Sequence, residues 1–173
     1  QIKTAEAALE DYPGQFKNAW TNAIGRKLGL SSGDHDALIT ATLTAFMESK
    51  VDFTRVFTAL TRHIESADAS AILAEFENAD QGKDWLDHWD TITGGREAFS
   101  DETKCAMRAA NPVRIARNHK VEAAITQSEA GDRSQFDTLL AAIENPFEED
   151  SRFEAFEAAP EPAEVVRQTF CGT

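Results

Sequence analysis

Apolar residues recur at the spacing of an α-helix through most of the chain, and this periodicity limits the fold more than any other feature. Phe16, Trp20, Ile24 and Leu28 follow one another every four residues with polar residues between them, as on one face of a helix. Similar stripes lie in the segments 38–47, 53–64, 72–76, 85–89, 121–125 and 136–143. No period-two run of β-branched residues occurs. The sequence therefore predicts an all-α fold of about seven to eight helices.

Residues that begin or end helices lie at the edges of these segments. Asp52 and Ser100 are predicted N-caps, and Gly29 and Gly131 are expected to end helices. Asn111-Pro112 is a predicted joint, because the residue before a proline disfavours helical backbone. The helices on either side of Gly131 predict a hairpin, with "DRSQ" as a capping-box variant. The residues predicted to be buried are Trp20, Phe57, Leu60, Trp89, Ile125, Leu139 and Leu140.

Composition excludes several classes of protein. Thirty acidic and seventeen basic residues give a formal charge of −13, which repels nucleic acid and anionic membranes. The longest apolar runs fall short of the roughly 20 residues that span a bilayer, and the first residues do not form a secretory signal. The two cysteines, Cys105 and Cys171, are too few for a disulfide scaffold. We expect a cytoplasmic protein that binds neither nucleic acid nor membranes.

The end of the sequence differs in composition from the rest. Residues 144–164 hold eight acids, one arginine and three prolines, which disfavours a regular helix. We therefore predict a helical domain at 1–145 and an irregular acidic tail at 146–173. The tail ends in a cysteine motif and is expected to pack on or near the same domain.

A search for catalytic motifs gives a negative result. The chain has no glycine-rich phosphate loop, no G-x-S-x-G, no H-E-x-x-H and no C-x-x-C. Its four histidines, His35, His63, His88 and His119, lie on different predicted helices. We interpret each as a surface histidine or a half-buried one with satisfied hydrogen bonds, and we predict no metal site.

One charged segment stands out from the acidic background. Lys104, Arg108, Arg114, Arg117 and Lys120 form a run without a single acid, which we call the basic island. One interpretation is a docking surface for phosphate or for an acidic protein segment. The other is internal: the arginines pair with the acidic tail or hydrogen-bond to carbonyls near the Asn-Pro joint.

Several longer motifs carry a family resemblance. The runs "MRAANPVRIARNHKVEAAI", "GDRSQFDTLLAAIENPFEED" and "VRQTFCGT", with "FKNAWTNAIGRKLGL" and "DFTRVFTALTRHI" before them, resemble the C-terminal portion of the selenoprotein O family, known in bacteria as YdiU. Asn111, Pro112, Asn118 and His119 fall inside these motifs, without an assigned role.

The resemblance implies an activity for a longer protein. Members of this family have a kinase-like fold and transfer AMP from ATP to protein hydroxyl groups with Mg²⁺ or Mn²⁺. Their nucleotide-binding, catalytic and metal-binding residues precede the matched region, so no catalytic residue or bound cofactor is assigned to this chain. Gln1 opens in mid-pattern without a methionine, and we expect the helical C-terminal domain of a longer enzyme. The implied partners are its upstream kinase-like core and its protein substrates; the alternative is an autonomous, non-catalytic helical interaction module.

The resemblance also bears on the two thiols. Cys171 matches the position where animal members of the family carry selenocysteine, which implies a redox role for Cys171. A thiol near the end of the chain is accessible, so Cys171 is expected to be the reactive thiol. Cys105 lies close to Met107 on a predicted helix and is expected to be buried and inert.

Overall fold

The computed structural model describes residues 2–30 and 35–168, and their regular secondary structure is helical. No β-strand occurs in these two stretches, so the all-α prediction is confirmed. The α-helices are α1 Ile2–Lys27, α2 Asp36–Glu48, α3 Phe53–Ser66, α4 Ser70–Leu73, α5 Ala79–Thr93, α6 Asp101–Ala110, α7 Asn118–Glu129 and α8 Ser134–Glu144. Two short 3₁₀ helices cover Arg96–Ala98 and Ser151–Phe156. None of these helices combines the length and the apolar character needed to span a bilayer.

Backbone contacts divide the chain into two compact units, Gln1–Asn111 and Pro112–Thr173, which we call the N-terminal and C-terminal units. The predicted division after residue 145 lies inside the C-terminal unit. The backbone explains the difference, because the amide of Val113 donates to the carbonyl of Pro146 at 2.8 Å. The first residue of the acidic tail is therefore hydrogen-bonded to the segment that precedes α7.

The predicted N-caps of α3 and α6 are confirmed. The Asp52 carboxylate accepts hydrogen bonds from the backbone amides of Thr54 (3.1 Å) and Arg55 (3.0 Å). The Ser100 hydroxyl accepts one from the amide of Thr103 at 3.2 Å. Each cap satisfies amides in the first helical turn that have no partner within the helix.

Gly29 follows the end of α1, as predicted, in a position that only glycine fits. Its φ is +71°, and a Cβ added there would lie 2.3 Å from the Phe99 ring and 2.5 Å from the Met107 sulfur. The Phe99 ring is stacked on Trp89, with ring centroids 5.4 Å apart. The turn after α1 therefore fits closely against the core.

The core of the N-terminal unit contains Phe57, Leu60 and Trp89, each at most 1% exposed, which confirms these three predictions. The indole N–H of Trp89 donates to the carbonyl of Leu28 at 2.9 Å. This bond satisfies the polar atom of a fully buried ring and holds the end of α1 on the core.

Helix α1 extends well beyond this core. It begins at Ile2 and continues through Pro13, whereas the predicted apolar face starts at Phe16. Trp20 is 40% exposed, so its predicted burial is wrong. The reason is that α1 reaches the core only near its C-terminal end, where Ile24 and Leu28 are buried.

The C-terminal unit is built on the α7–α8 hairpin that the sequence predicts, with Gly131 between the helices at a φ of +91°. Instead of a capping box, the Asp132 carboxylate accepts from the Ser134 amide at 2.8 Å.

Two of the three hairpin residues predicted to be buried are exposed. Leu139 is buried, as predicted, but Ile125 (47% exposed) and Leu140 (44%) are not. Ala124 and Ala142 are at most 1% exposed, and small side chains let two helices approach closely. Since successive residues are 100° apart around a helix, the neighbours of Ala124 and Leu139 turn away from that interface.

The two adjacent leucines of α8 allow a paired test. Leu139→Ala should destabilise the chain by about 2 kcal/mol, the low end for a buried leucine, because the site lies near the surface of a small unit. Leu140→Ala should stay within about 0.5 kcal/mol of the wild type. Urea unfolding, monitored by circular dichroism, measures the free energy of unfolding of both variants. Equal losses at the two positions would contradict the helical register described here.

Candidate functional site

The five cations of the basic island divide between the two units. Lys104 and Arg108 lie on α6, in the N-terminal unit. Arg114, Arg117 and Lys120 lie before or at the start of α7, in the C-terminal unit. Each group has its own surroundings.

Arg114 is the most deeply buried charge of the described residues, at 1% exposure. Its Nε donates to the carbonyl of Ala142 at 3.0 Å, and its Nη2 donates to the carbonyls of Asn145 (3.1 Å) and Glu148 (2.7 Å). Its Nη1 lies 3.5 Å from a carboxylate oxygen of Glu157. The guanidinium therefore donates hydrogen bonds to carbonyls at and just after the end of α8, where the helix dipole also favours a cation.

Arg117 has a similar internal contact. It is 9% exposed, and its Nη2 donates to the carbonyl of Glu157 at 3.2 Å. Arg114 and Arg117 thus both donate hydrogen bonds to the acidic tail. This agrees with the interpretation in which the arginines of the basic island pair within the chain. Planar guanidinium forks suit this task, because each presents several donors in a fixed geometry.

The cations of the N-terminal unit lie nearer the solvent. Arg108 forms an ion pair with Glu65, and Lys104 lies 4.0 Å from Asp101. Arg108 also donates to the sulfur of Cys105 at 3.7 Å. Cys105 is exposed, so its predicted burial is wrong: residues two positions apart on a helix do not share a face, and α6 buries the face that carries Met107.

Asn111 joins three helices of the N-terminal unit. It is 2% exposed, and its side-chain amide donates to the carbonyl of Lys27 at 3.0 Å and to the hydroxyl of Thr61 at 2.9 Å. Its side-chain oxygen accepts from the Lys27 ammonium at 3.3 Å. Lys27 also donates to the carbonyl of Ala110 at 2.7 Å, and burial lowers the pKa of Lys27. The ends of α1 and α6 are thereby tied to α3.

His119 lies in the first turn of α7, beside an open groove. The groove has a volume of about 310 Å³, and its lining includes Lys120, Thr138, Phe156 and Glu164. His119 is 8% exposed, and its Nε2 is buried with no hydrogen-bond partner among residues 2–30 and 35–168. The expectation of a surface or fully satisfied histidine is therefore wrong here. A lining with both a cation and a carboxylate selects no particular class of ligand.

His63, in the N-terminal unit, departs from the same expectation. It is 7% exposed, and its Nδ1 is buried with no hydrogen-bond partner in the part of the chain that the structure describes. His88 is exposed, as expected for a surface histidine. Sequence spacing does not distinguish these cases, because burial of a histidine depends on the helices packed against it.

The environment of His119 predicts a pH dependence of stability. Burial lowers the pKa of His119 below its usual 6.5, and Lys120 lowers it further, while Glu164 opposes them. The folded state therefore resists protonation, whereas the unfolded chain takes up the proton near the usual pKa. Stability should fall as the pH drops from 7.5 to 5.

This dependence is measured by urea unfolding at several pH values. His119→Gln should flatten the fall between pH 7.5 and 5, and His88→Gln, at an exposed histidine, is the control. An unchanged slope in His119→Gln would show that other groups cause the dependence.

The remaining predicted site residues are Asn118, Pro112 and Cys171. Asn118 is exposed at the start of α7, and Pro112 precedes the C-terminal unit's first helix. Cys171 lies outside the described residues. Within residues 2–30 and 35–168, no three His, Cys, Asp or Glu side chains come close enough together to hold a metal ion.

Comparison with known proteins identifies the family. The family model described as "Protein adenylyltransferase SelO" matches residues 1–144. The chain belongs to the SelO family. The resemblance seen in its sequence motifs is thereby confirmed.

Relatives within the SelO family are bacterial proteins named protein nucleotidyltransferase YdiU. The one from Rhizobium meliloti is 37% identical over 176 residues, which covers 99% of this chain and 36% of the relative. A Bradyrhizobium relative is 38% identical with the same coverage. One from Halalkalibacterium halodurans is 32% identical over 99% of this chain and 34% of its own length. The chain spans about a third of the length of these relatives.

Proposed function

We propose that this chain acts as the helical C-terminal domain of a SelO-family protein adenylyltransferase. In that enzyme, AMP is transferred from ATP to serine, threonine or tyrosine hydroxyls of protein substrates. The observation that carries the proposal is the family match over residues 1–144, in relatives named as nucleotidyltransferases of which this chain covers only 34 to 36%. About two thirds of such a protein is thus left to supply the chemistry.

In this proposal the chain supports the enzyme, and residues outside this sequence bind ATP and Mg²⁺ or Mn²⁺. Its partners are the kinase-like core of the same protein and the protein substrates. The internal contacts of Arg114 and Arg117 favour a structural role over an autonomous docking module. Asn111, which lies within the family motif, also has structural contacts.

A redox role for Cys171 belongs to the same proposal and rests on the family resemblance. Cys105 is exposed, so accessibility alone does not set it apart from a thiol near the chain end. Any labelling experiment on Cys171 therefore needs Cys105→Ser as the background.

The activity is tested with the full-length protein and with the 173-residue chain side by side. Each is incubated with ATP labelled at the α-phosphate or at the γ-phosphate, with Mg²⁺ or Mn²⁺. We expect the full-length protein to transfer the α label but not the γ label to protein, because AMP retains only the α-phosphate. The 173-residue chain should transfer neither.

Calorimetry with ATP and Mg²⁺ provides the second readout. The dissociation constant of the 173-residue chain for ATP should lie above the low micromolar range. A low micromolar constant corresponds to a binding free energy of about −8 kcal/mol. Tighter binding would contradict the assignment of the nucleotide site to the rest of the protein. Transfer of the γ label alone would show a kinase instead of an adenylyltransferase.

A further inference from the structure

An exposed apolar stripe runs along α1. Leu9, Tyr12, Phe16 and Trp20 are 73%, 61%, 56% and 40% exposed. Their spacing of three and four residues places them on one face of the helix. The rings of Tyr12 and Phe16 lie 6.1 Å apart. We call these four residues the α1 stripe.

The same helical face continues into the core. Four and eight residues after Trp20, Ile24 and Leu28 are 7% and 0% exposed. The face from Leu9 to Leu28 is about 29 Å long at 1.5 Å per residue. Its last part is buried by the chain's own helices, and its larger part is not. Single exposed apolar residues are ordinary on a protein surface, but a contiguous set with three aromatic rings marks an interaction surface.

The net negative charge of the chain disfavours two possible partners for this face, a second copy of the chain and an anionic membrane. Two copies of this chain would each bring a formal charge of −13, so self-association works against electrostatic repulsion. An anionic membrane surface would be repelled for the same reason.

The length of the relatives favours a third occupant. They match 99% of this chain, yet about two thirds of each lies outside the match. A segment covalently joined to α1 meets the stripe at a high effective concentration, which a separate protein does not share.

We propose that the α1 stripe docks into an apolar groove on the part of the full-length protein that lies outside this sequence. The inference rests on the proposed function, in which the chain is one domain of a longer enzyme. The anchors follow the pattern of a helix laid into a groove. Trp20 also requires an acceptor for its indole N–H when it is covered. Glu10 and Asp11 are exposed beside Tyr12, so a basic rim would complement that end of the stripe.

Hydroxyl-radical footprinting compares the full-length protein with the 173-residue chain. Tyr12 and Trp20 should be oxidised at least about fivefold more slowly in the full-length protein, because a docked face meets the reagent only after local opening. Met47, on α2, is 73% exposed and outside the stripe; it serves as the internal control and should react equally in both. Equal oxidation of Tyr12 and Trp20 in the two proteins would overturn the proposal.

A charge placed in the stripe provides the second test. Phe16→Glu in the full-length protein should restore oxidation of Trp20 to the rate of the 173-residue chain, while Met47→Glu should not. In the 173-residue chain, Phe16→Glu should leave the melting temperature unchanged. An equal loss of melting temperature in both proteins would instead mean that the stripe packs within this chain.

Sedimentation of the 173-residue chain tests the second-copy alternative. A dimer that Phe16→Glu dissociates would assign the stripe to self-association and overturn the proposal. The AMP-transfer assay tests the proposed function independently of the docking proposal, because footprinting requires no catalytic activity. Protection of Tyr12 and Trp20 without AMP transfer would leave the docking inference standing, and AMP transfer without protection would refute it alone.

Discussion

Arg114→Met should destabilise the C-terminal unit by about 3 to 5 kcal/mol, the cost of breaking a buried charged contact from one side. The substitution removes the donors to the carbonyls of Ala142, Asn145 and Glu148. It also removes one cation from beside the Glu157 carboxylate, whose side chain is 17% exposed. Methionine retains much of the side-chain volume, so the loss should arise mainly from unsatisfied polar groups.

Two further variants separate geometry from charge. Arg114→Lys keeps the positive charge but lacks the planar fork that reaches three carbonyls at once. It should therefore be less stable than the wild type but more stable than Arg114→Met. Arg133→Ala is the matched surface control. Arg133 pairs with Asp137 at 3.8 Å, with both side chains more than 60% exposed, and its removal should cost less than about 1 kcal/mol.

The measurement combines urea unfolding of the whole chain with hydrogen exchange. Two compact units need not unfold in one step, so exchange rates in α8 and in residues 145–157 localise the effect. A stability of Arg114→Met within about 1 kcal/mol of the wild type would show that the guanidinium contacts are not structural.

Local features of the fold are well predicted by the sequence. The caps at Asp52 and Ser100 depend on side chains that bond within three residues, and the turns at Gly29 and Gly131 depend on positive φ. Such signals are contained in a few consecutive residues, which is why the all-α architecture and the hairpin could be predicted.

Burial is less predictable, because it depends on partners distant in sequence. Trp20 fits the periodicity of a core residue, but α1 extends past the helices that would cover it. Ile125 and Leu140 are exposed for a different reason: the buried residues of α7 and α8 include Ala124 and Ala142, and the larger residues beside the buried positions turn outward. Periodicity identifies an apolar face without showing whether another element covers it.

The basic island shows the same limit for the candidate site. Its composition is visible in sequence, but the carbonyls that accept from Arg114 lie 28 to 34 positions further along the chain. Backbone acceptors have no sequence signal, since every residue carries one. The sequence assigns Asn111 no role, because the partners of its side-chain amide lie 50 and 84 positions away.

Asn111→Ala should destabilise the N-terminal unit by about 2 to 4 kcal/mol, since it leaves the Lys27 carbonyl without its donor and weakens the tie to Thr61 in a nearly solvent-free position. The end of α1 and the end of α6 would then lose their shared contact with α3. Hydrogen exchange in these three helices, together with urea unfolding, measures the effect.

Asn111→Asp distinguishes the hydrogen bonds from the loss of volume. Aspartate has nearly the same size, but its ionised carboxylate only accepts hydrogen bonds. It would face the Lys27 carbonyl with a second acceptor and keep only the contact with the Lys27 ammonium. A loss comparable to that of Asn111→Ala would therefore assign the role to the amide donor, and a stability near the wild type would refute it. Asn118→Ala, at an exposed asparagine of the same family motif, is the matched control and should change stability by no more than about 0.5 kcal/mol.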